Sequence, residues 1–141
     1  MHFSTIYILK GEELDNINAS IIEEDFSDRF CYCCGETRPR YRYWCDWFQI
    51  GGRWCDILKA PKGFHCTRGY PNEGEPIIDN QFSVVEVKDL LEAIDENSIY
   101  SVLDIDEEII YTREYPEFKE LLDAINNKQV SGVIALIDCH D

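Results

Sequence analysis

Apolar and polar residues alternate in patterns that predict strands at both ends of the chain. Residues 2–9 are interrupted only by short polar side chains, which is typical of a buried strand. Residues 130–139 contain the nearly continuous apolar run 133–137, as expected of a central strand covered on both faces. Residues 99–105 and 108–113, joined by a short acidic turn, predict a hairpin.

Apolar residues recur at helical spacing in three further segments. Residues 12–30 predict one helix or two short ones, residues 87–96 a second helix and residues 116–126 a third. Pro116 suits the first turn of the third helix, which the pair at residues 126 and 127 should end. The buried stripe of the second helix is predicted at Val87, Leu90, Leu91 and Ile94.

Residues 41–55 form the densest aromatic segment and contain all three tryptophans. Read with period two, both of its faces are largely apolar. This pattern predicts a strand inside a sheet that is covered on both sides. Gly51 and Gly52 then permit a bulge or a tight reversal before Arg53 and Trp54.

These elements occur in mixed order, which predicts an α+β fold. The 141 residues suit a single domain spanning residues 1–141, with a mainly antiparallel sheet flanked by two or three helices. Proline and glycine mark an irregular excursion within residues 31–76, where few residues can form a core. Such a region needs another constraint, and a bound metal would supply it.

Six of the seven cysteines lie within residues 31–66, a clustering that favours metal binding over disulfides. A C-x-x-C-G turn begins at Cys31, and further cysteines follow at the spacing of zinc fingers. The predicted zinc ligands are Cys31, Cys34, Cys55 and Cys66, with Cys33 or His65 as substitutes. Four protein ligands leave no open position, so the zinc would be structural and would staple the irregular loop. Free buried thiols or a redox pair remain the alternative.

The net charge of −15 is unevenly distributed. Residues 1–30 carry seven acids and two bases, residues 31–70 three acids and seven bases, and residues 71–141 eighteen acids and four bases. A phosphate backbone would be repelled by most of this surface, so we expect no direct binding of nucleic acid. A basic protein, for example one whose own groove binds nucleic acid, is the favoured partner, and simple solubility is the alternative explanation.

The acidic stretch 86–120 is the predicted contact surface for such a partner. Its candidate residues are Asp89, Glu92, Asp95, Glu96, Asp104, Asp106, Glu107 and Glu108. The chain shows no basic leader and no apolar run long enough to cross a membrane. We therefore expect a soluble, cytoplasmic protein with no membrane partner.

The last strand ends in Asp138, Cys139 and His140, which invites a catalytic interpretation. Neighbouring strand residues face opposite ways, so Cys139 and His140 cannot easily act as nucleophile and base. Asp138 and His140 can share a face, where the carboxylate could orient the imidazole. This arrangement suits an enzyme, metal-dependent or using the Asp–His pair, or a purely structural hydrogen bond. A second metal site also remains open.

Two segments carry a resemblance to a known family. D-W-F-Q-I-G-G-R-W at residues 46–54 and L-I-D-C-H at residues 136–140 resemble a family of small phage and prophage proteins with D-W-[YF]-x-I-G-G-R-W and a terminal V-D-C-H. The match runs from about residue 43 to the end of the chain. The zinc-ligand candidates are not part of that pattern, so the zinc prediction depends on the cysteines themselves.

Small acidic proteins of this type also resemble anti-CRISPR proteins, in particular a zinc-containing inhibitor of the type II CRISPR effector nuclease. That resemblance implies a phage protein, without catalytic residues, that binds the nuclease and prevents target DNA from loading. An acidic face competing for a basic nucleic-acid channel is physically coherent with stoichiometric occlusion.

Overall fold

The two long strands predicted near the ends of the chain pair with each other at the centre of the sheet. The structure is a computed structural model that describes residues 2–27, 47–54, 57–60, 63, 81–106 and 109–140. Within these residues the fold is α+β, with a mixed sheet of six strands and three α-helices. The coarse prediction of the fold class is therefore confirmed.

The strands are β1 (His2–Lys10), β2 (Trp47–Ile50), β3 (Leu58–Lys59), β4 (Gln81–Phe82), β5 (Val84–Glu86), β6 (Ser101–Asp104), β7 (Ile109–Thr112) and β8 (Gly132–His140). The α-helices are α1 (Ala19–Ser27), α2 (Leu90–Ala93) and α3 (Pro116–Asn126). Single-turn 3₁₀ helices span Leu14–Asn16, Gly52–Trp54, Val87–Asp89 and Glu96–Ser98.

The main sheet has the order β2-β8-β1-β6-β7, with β5 also paired to β8. Strand β1 pairs with β8 along all of its length, so β2 and β5 share the opposite edge of β8. β1 and β6 are parallel, and the other described pairs of this sheet are antiparallel. β3 and β4 form a separate two-stranded sheet. The predicted central position of the last strand and the predicted hairpin of β6 and β7 are both confirmed.

The sheet is covered on both faces, which explains why its central strands are so apolar. Helix α1 covers one face, where the Phe26 ring lies 5.0 Å from the ring of Tyr7 and the Tyr7 hydroxyl donates to Asp25. Helices α2 and α3 cover the other face, where their apolar residues pack against alternate residues of β1 and β8.

The described part of the aromatic segment is not the inner strand that its pattern predicted. Its described part, β2, lies at the end of the strand order, and residues 41–46 fall outside the described part of the chain. Ile50 is buried, and Phe48 packs its ring 4.5 Å from that of Phe26. Phe48 therefore packs against α1 from the end of the described strand order.

The second predicted helix is also shorter than its pattern suggested. It consists of the single turn α2 between two 3₁₀ turns, and the backbone becomes extended at Ile94. Leu90 and Ile94 are buried as predicted, but Leu91 is 47% exposed. A regular helical stripe cannot continue through a segment that changes conformation every three or four residues, so the prediction for Leu91 was wrong.

Candidate functional site

Three strand ends bring the two segments that carry the family resemblance into contact. In the register of the sheet, Asp138 on β8 lies between Ser4 on β1 and Gln49 on β2. His140 pairs with His2 in the same way. Because side chains alternate along a strand, Asp138 and His140 share the face that carries α2 and α3. The predicted common face of these two residues is confirmed by this register.

Asp138 is a buried carboxylate with a partner on each oxygen. It is 1% exposed, and its Oδ1 accepts from Nδ1 of His2 at 2.9 Å. Its Oδ2 accepts from the backbone N–H of Arg53, also at 2.9 Å. Buried charged groups need such partners, because an unpaired carboxylate away from water is strongly unfavourable. Asp138 therefore ties the first strand and the turn after β2 to the last strand.

The turn at residues 51–54 is shaped to approach Asp138. Gly51 and Gly52 have φ values of +74° and +49°, which favour glycine. The Gly51 N–H donates to the carbonyl of Leu136 at 2.7 Å, and a Cβ at residue 52 would overlap the Asp138 side chain. The glycine pair thus permits both the reversal and the bond from the Arg53 N–H to Asp138.

The carboxylate bonds to an imidazole that the sequence did not indicate. His2 takes the bond to Asp138, and the rings of His2 and His140 meet edge to face with centroids 4.8 Å apart. Sequence reasoning missed His2, because the contact joins residues 136 positions apart. The only local signal was a polar side chain at the start of a buried strand.

An open cleft of about 410 Å³ lies beside this arrangement, and we call it the His2 cleft. The described residues that line it are His2, Phe3, Ser4, Trp54, Asn97, Ser98, Ile99, Tyr100 and Arg113. They include no Asp or Glu, which is unusual in a protein with 28 acidic residues. Its volume falls in the range of small-molecule sites.

Two fixed hydrogen-bond donors line the His2 cleft. The Arg113 guanidinium donates from Nε to the carbonyl of Ile99 at 2.7 Å and from a second nitrogen to the carbonyl of Glu96. It also lies over the ring of Phe118. The indole Nε1 of Trp54 is buried and has no hydrogen-bond partner among the described residues. A buried donor without an acceptor is costly, so this nitrogen favours a ligand that accepts a hydrogen bond.

The predicted acidic contact residues occupy two separate places. Glu92, Asp95 and Glu96 are exposed, as is the side chain of Leu91, and Leu91, Glu92 and Asp95 line one groove; these four residues are the Leu91 surface. This groove has a volume of about 520 Å³ and is also lined by Ile57 and Lys59.

Of the other candidates, Asp89 is half-buried next to α2. Asp104 and Asp106 lie at the far end of β6, where Asp106 pairs with Lys10 at 2.5 Å. Glu107 and Glu108 fall outside the described residues. The structure therefore does not gather the predicted acids into one patch.

All the predicted zinc ligands lie outside the described residues: Cys31, Cys34, Cys55 and Cys66, with the substitutes Cys33 and His65. The described residues hold no group of three or more His, Cys, Asp or Glu side chains arranged to bind a metal. Cys139 is buried on the α1 face, where its Sγ lies 3.6 Å from Oγ1 of Thr5. It faces away from His140, as the strand alternation predicted.

No described helix combines the length and the apolar character needed to span a membrane. Comparisons of the chain with protein-family models, with curated proteins and with solved structures found no match.

Proposed function

We propose that this protein is a phage inhibitor that binds the type II CRISPR effector nuclease through an acidic surface and blocks the loading of target DNA. The observation that carries the proposal is the Leu91 surface. It combines a large apolar side chain, 47% exposed, with exposed carboxylates, two of which line the same groove. An apolar centre with a charged rim is the usual anatomy of a protein interface.

The negative charge of the protein indicates what kind of partner it would bind. The net charge of −15 attracts a basic protein, and residues 71–141, which contain the Leu91 surface, carry most of it. The channel that holds the guide–target duplex in such nucleases is positively charged. A small acidic protein seated there would compete with DNA one to one, without turnover.

Reversing charges on the Leu91 surface tests this proposal. Glu92→Lys together with Glu96→Lys should slow association with a purified type II effector–guide complex by on the order of tenfold at low salt, because steering by opposite charges is lost. The matched control is Glu12→Lys with Glu13→Lys, which changes the net charge equally at two exposed residues elsewhere.

Association rates from surface plasmon resonance and DNA binding from gel shifts give the readout. Equal slowing in both double variants would assign the effect to net charge and remove the Leu91 surface as the interface. No binding of the unmodified protein to any effector tested at low salt would overturn the proposed function.

We also propose that the inhibitor carries one structural zinc held by Cys31, Cys34, Cys55 and Cys66. Metal analysis of purified protein should give about one zinc per chain, and chelation should lower the melting temperature by roughly 10 °C or more. Cys31→Ser with Cys34→Ser should lose the metal, whereas Cys139→Ala should keep it. Protein without stoichiometric zinc, with thiols that titrate freely, would contradict this.

An enzyme remains the second candidate, and the Asp138–His2 pair is what favours it. Its proton acceptor would be His2, because Asp138 holds that imidazole. An imidazole oriented by a buried carboxylate is a common arrangement for general-base chemistry. Inhibition of the nuclease at far less than one protein per nuclease would favour this candidate over occlusion.

A further inference from the structure

The His2 cleft differs from two other open clefts in the charge of its described lining. The cleft beside β5 includes Glu12, Glu13 and Glu86, and the groove beside the Leu91 surface includes Glu92 and Asp95. The described lining of the His2 cleft instead carries a guanidinium and an imidazole but no carboxylate. Asp138, which bonds to His2 in this lining, has each of its oxygens engaged by a donor.

The hydrogen-bond donors in this cleft need an acceptor that the described residues do not supply. An indole N–H and a guanidinium can only donate hydrogen bonds. Trp54 Nε1 has no acceptor among the described residues, and two backbone carbonyls satisfy only part of the five N–H groups of Arg113. A ligand with anionic oxygens would satisfy both groups and offset the charge of Arg113.

The apolar side chains that line the cleft indicate the chemistry of the uncharged part of the ligand. The aromatic residues Trp54 and Tyr100 line it, and the ring of Tyr100 lies 5.9 Å from that of the buried Phe3. Tyr100 is 39% exposed, so a bound ring would remove apolar surface from water. A volume of about 410 Å³ accommodates one planar ring system and its charged group.

We infer that the His2 cleft binds a small anion that carries a planar aromatic group, with its anionic oxygens on Trp54 Nε1 and Arg113. The anionic group is a carboxylate or a phosphate. This inference does not rest on the proposed binding of a basic protein, because the cleft binds the opposite charge and its ligand contacts Trp54 and Arg113 rather than the side chains of the Leu91 surface.

The test follows the Trp54 indole N–H by NMR in the ¹⁵N-labelled full-length protein, with Trp54→Phe to assign the signal. Adenosine monophosphate and 2-naphthoate supply the phosphate and carboxylate probes, with adenosine and 2-naphthamide as neutral counterparts. We expect a saturable downfield shift with at least one anionic probe, and weaker binding by about tenfold or more for its neutral counterpart.

Two variants check the contacts. Arg113→Gln should weaken binding of the anionic probe by about tenfold, whereas Arg53→Gln, with the same charge change at an exposed side chain outside the described lining, should leave it within about twofold. Trp54→Phe retains an aromatic ring without the N–H, and it should weaken binding as judged by the Arg113 Nε–H signal. Melting curves confirm that each variant is folded.

A response to the phosphate probe alone identifies a nucleotide-like ligand, and a response to the carboxylate probe alone identifies an aryl carboxylate. Both outcomes support the site. The inference is overturned if no probe shifts the Trp54 signal at millimolar concentration, if neutral probes bind as well as anions, or if Arg53→Gln weakens binding as much as Arg113→Gln.

Discussion

Gly52→Ala is expected to lower the free energy of unfolding by about 3 kcal/mol or more, because two costs add at this residue. The backbone has φ of +49°, which costs an L-residue roughly 1–2 kcal/mol. The new methyl group would also overlap the Asp138 side chain, and overpacking of a buried site typically costs about 1–3 kcal/mol. The turn would have to move away from β8, with loss of the bond between the Arg53 N–H and Asp138.

Gly11→Ala is the matched control for this substitution. Gly11 has a similar φ of +73°, but a Cβ there would meet no atom within 4 Å. Gly11→Ala should therefore lower the free energy of unfolding only by the cost of the positive φ, roughly 1–2 kcal/mol. Urea unfolding followed by circular dichroism measures both variants. Equal losses of stability in Gly52→Ala and Gly11→Ala would show that the close contact between residue 52 and Asp138 does not contribute to the cost of Gly52→Ala.

Asp138→Ala is expected to lower the free energy of unfolding by about 3 kcal/mol, because it removes the acceptor for two donors at once. The imidazole of His2 and the backbone N–H of Arg53 both bond to this carboxylate. A buried donor left without a partner costs about 1–3 kcal/mol. Asp138→Asn should be less damaging, since its single carbonyl oxygen can still accept from one of them.

An exposed aspartate provides the control for this series. Asp123→Ala on α3 removes a carboxylate that is open to solvent, and its effect should stay within about 0.5 kcal/mol. The same urea titrations apply, and the His2 ring signals in NMR report whether the imidazole has lost its fixed position. An Asp138→Ala protein as stable as the Asp123→Ala protein would contradict the view that Asp138 joins the three segments.

Local patterns determined much of this fold. The alternation in residues 2–9, the apolar run 133–137 and the hairpin at residues 99–113 are confirmed in β1, β8 and the β6–β7 pair. Pro116 begins α3 as predicted, because its fixed φ suits the first helical turn. These signals succeed because strand and helix periodicity record which face of an element is buried.

The pattern failed where several short conformations follow one another. Val87, Leu90 and Ile94 are buried, yet Leu91 is exposed because α2 has a single turn. The aromatic richness around β2 indicated an inner strand, but the split edge of β8 between β2 and β5 places it at the end of the strand order. The spacing of apolar residues within one segment does not show which strands become its neighbours in the sheet.

The sequence by itself determined the α+β class, the central strands and the side of β8 that Asp138 and His140 share, since each follows from periodicity along one element. Tertiary structure alone decided that Asp138 binds His2, that Gly52 must lack a Cβ, and that a cleft with no acid in its described lining opens between Trp54 and Arg113. These features join residues far apart in the chain. They depend on strand order and register, which are fixed only when the whole sheet assembles.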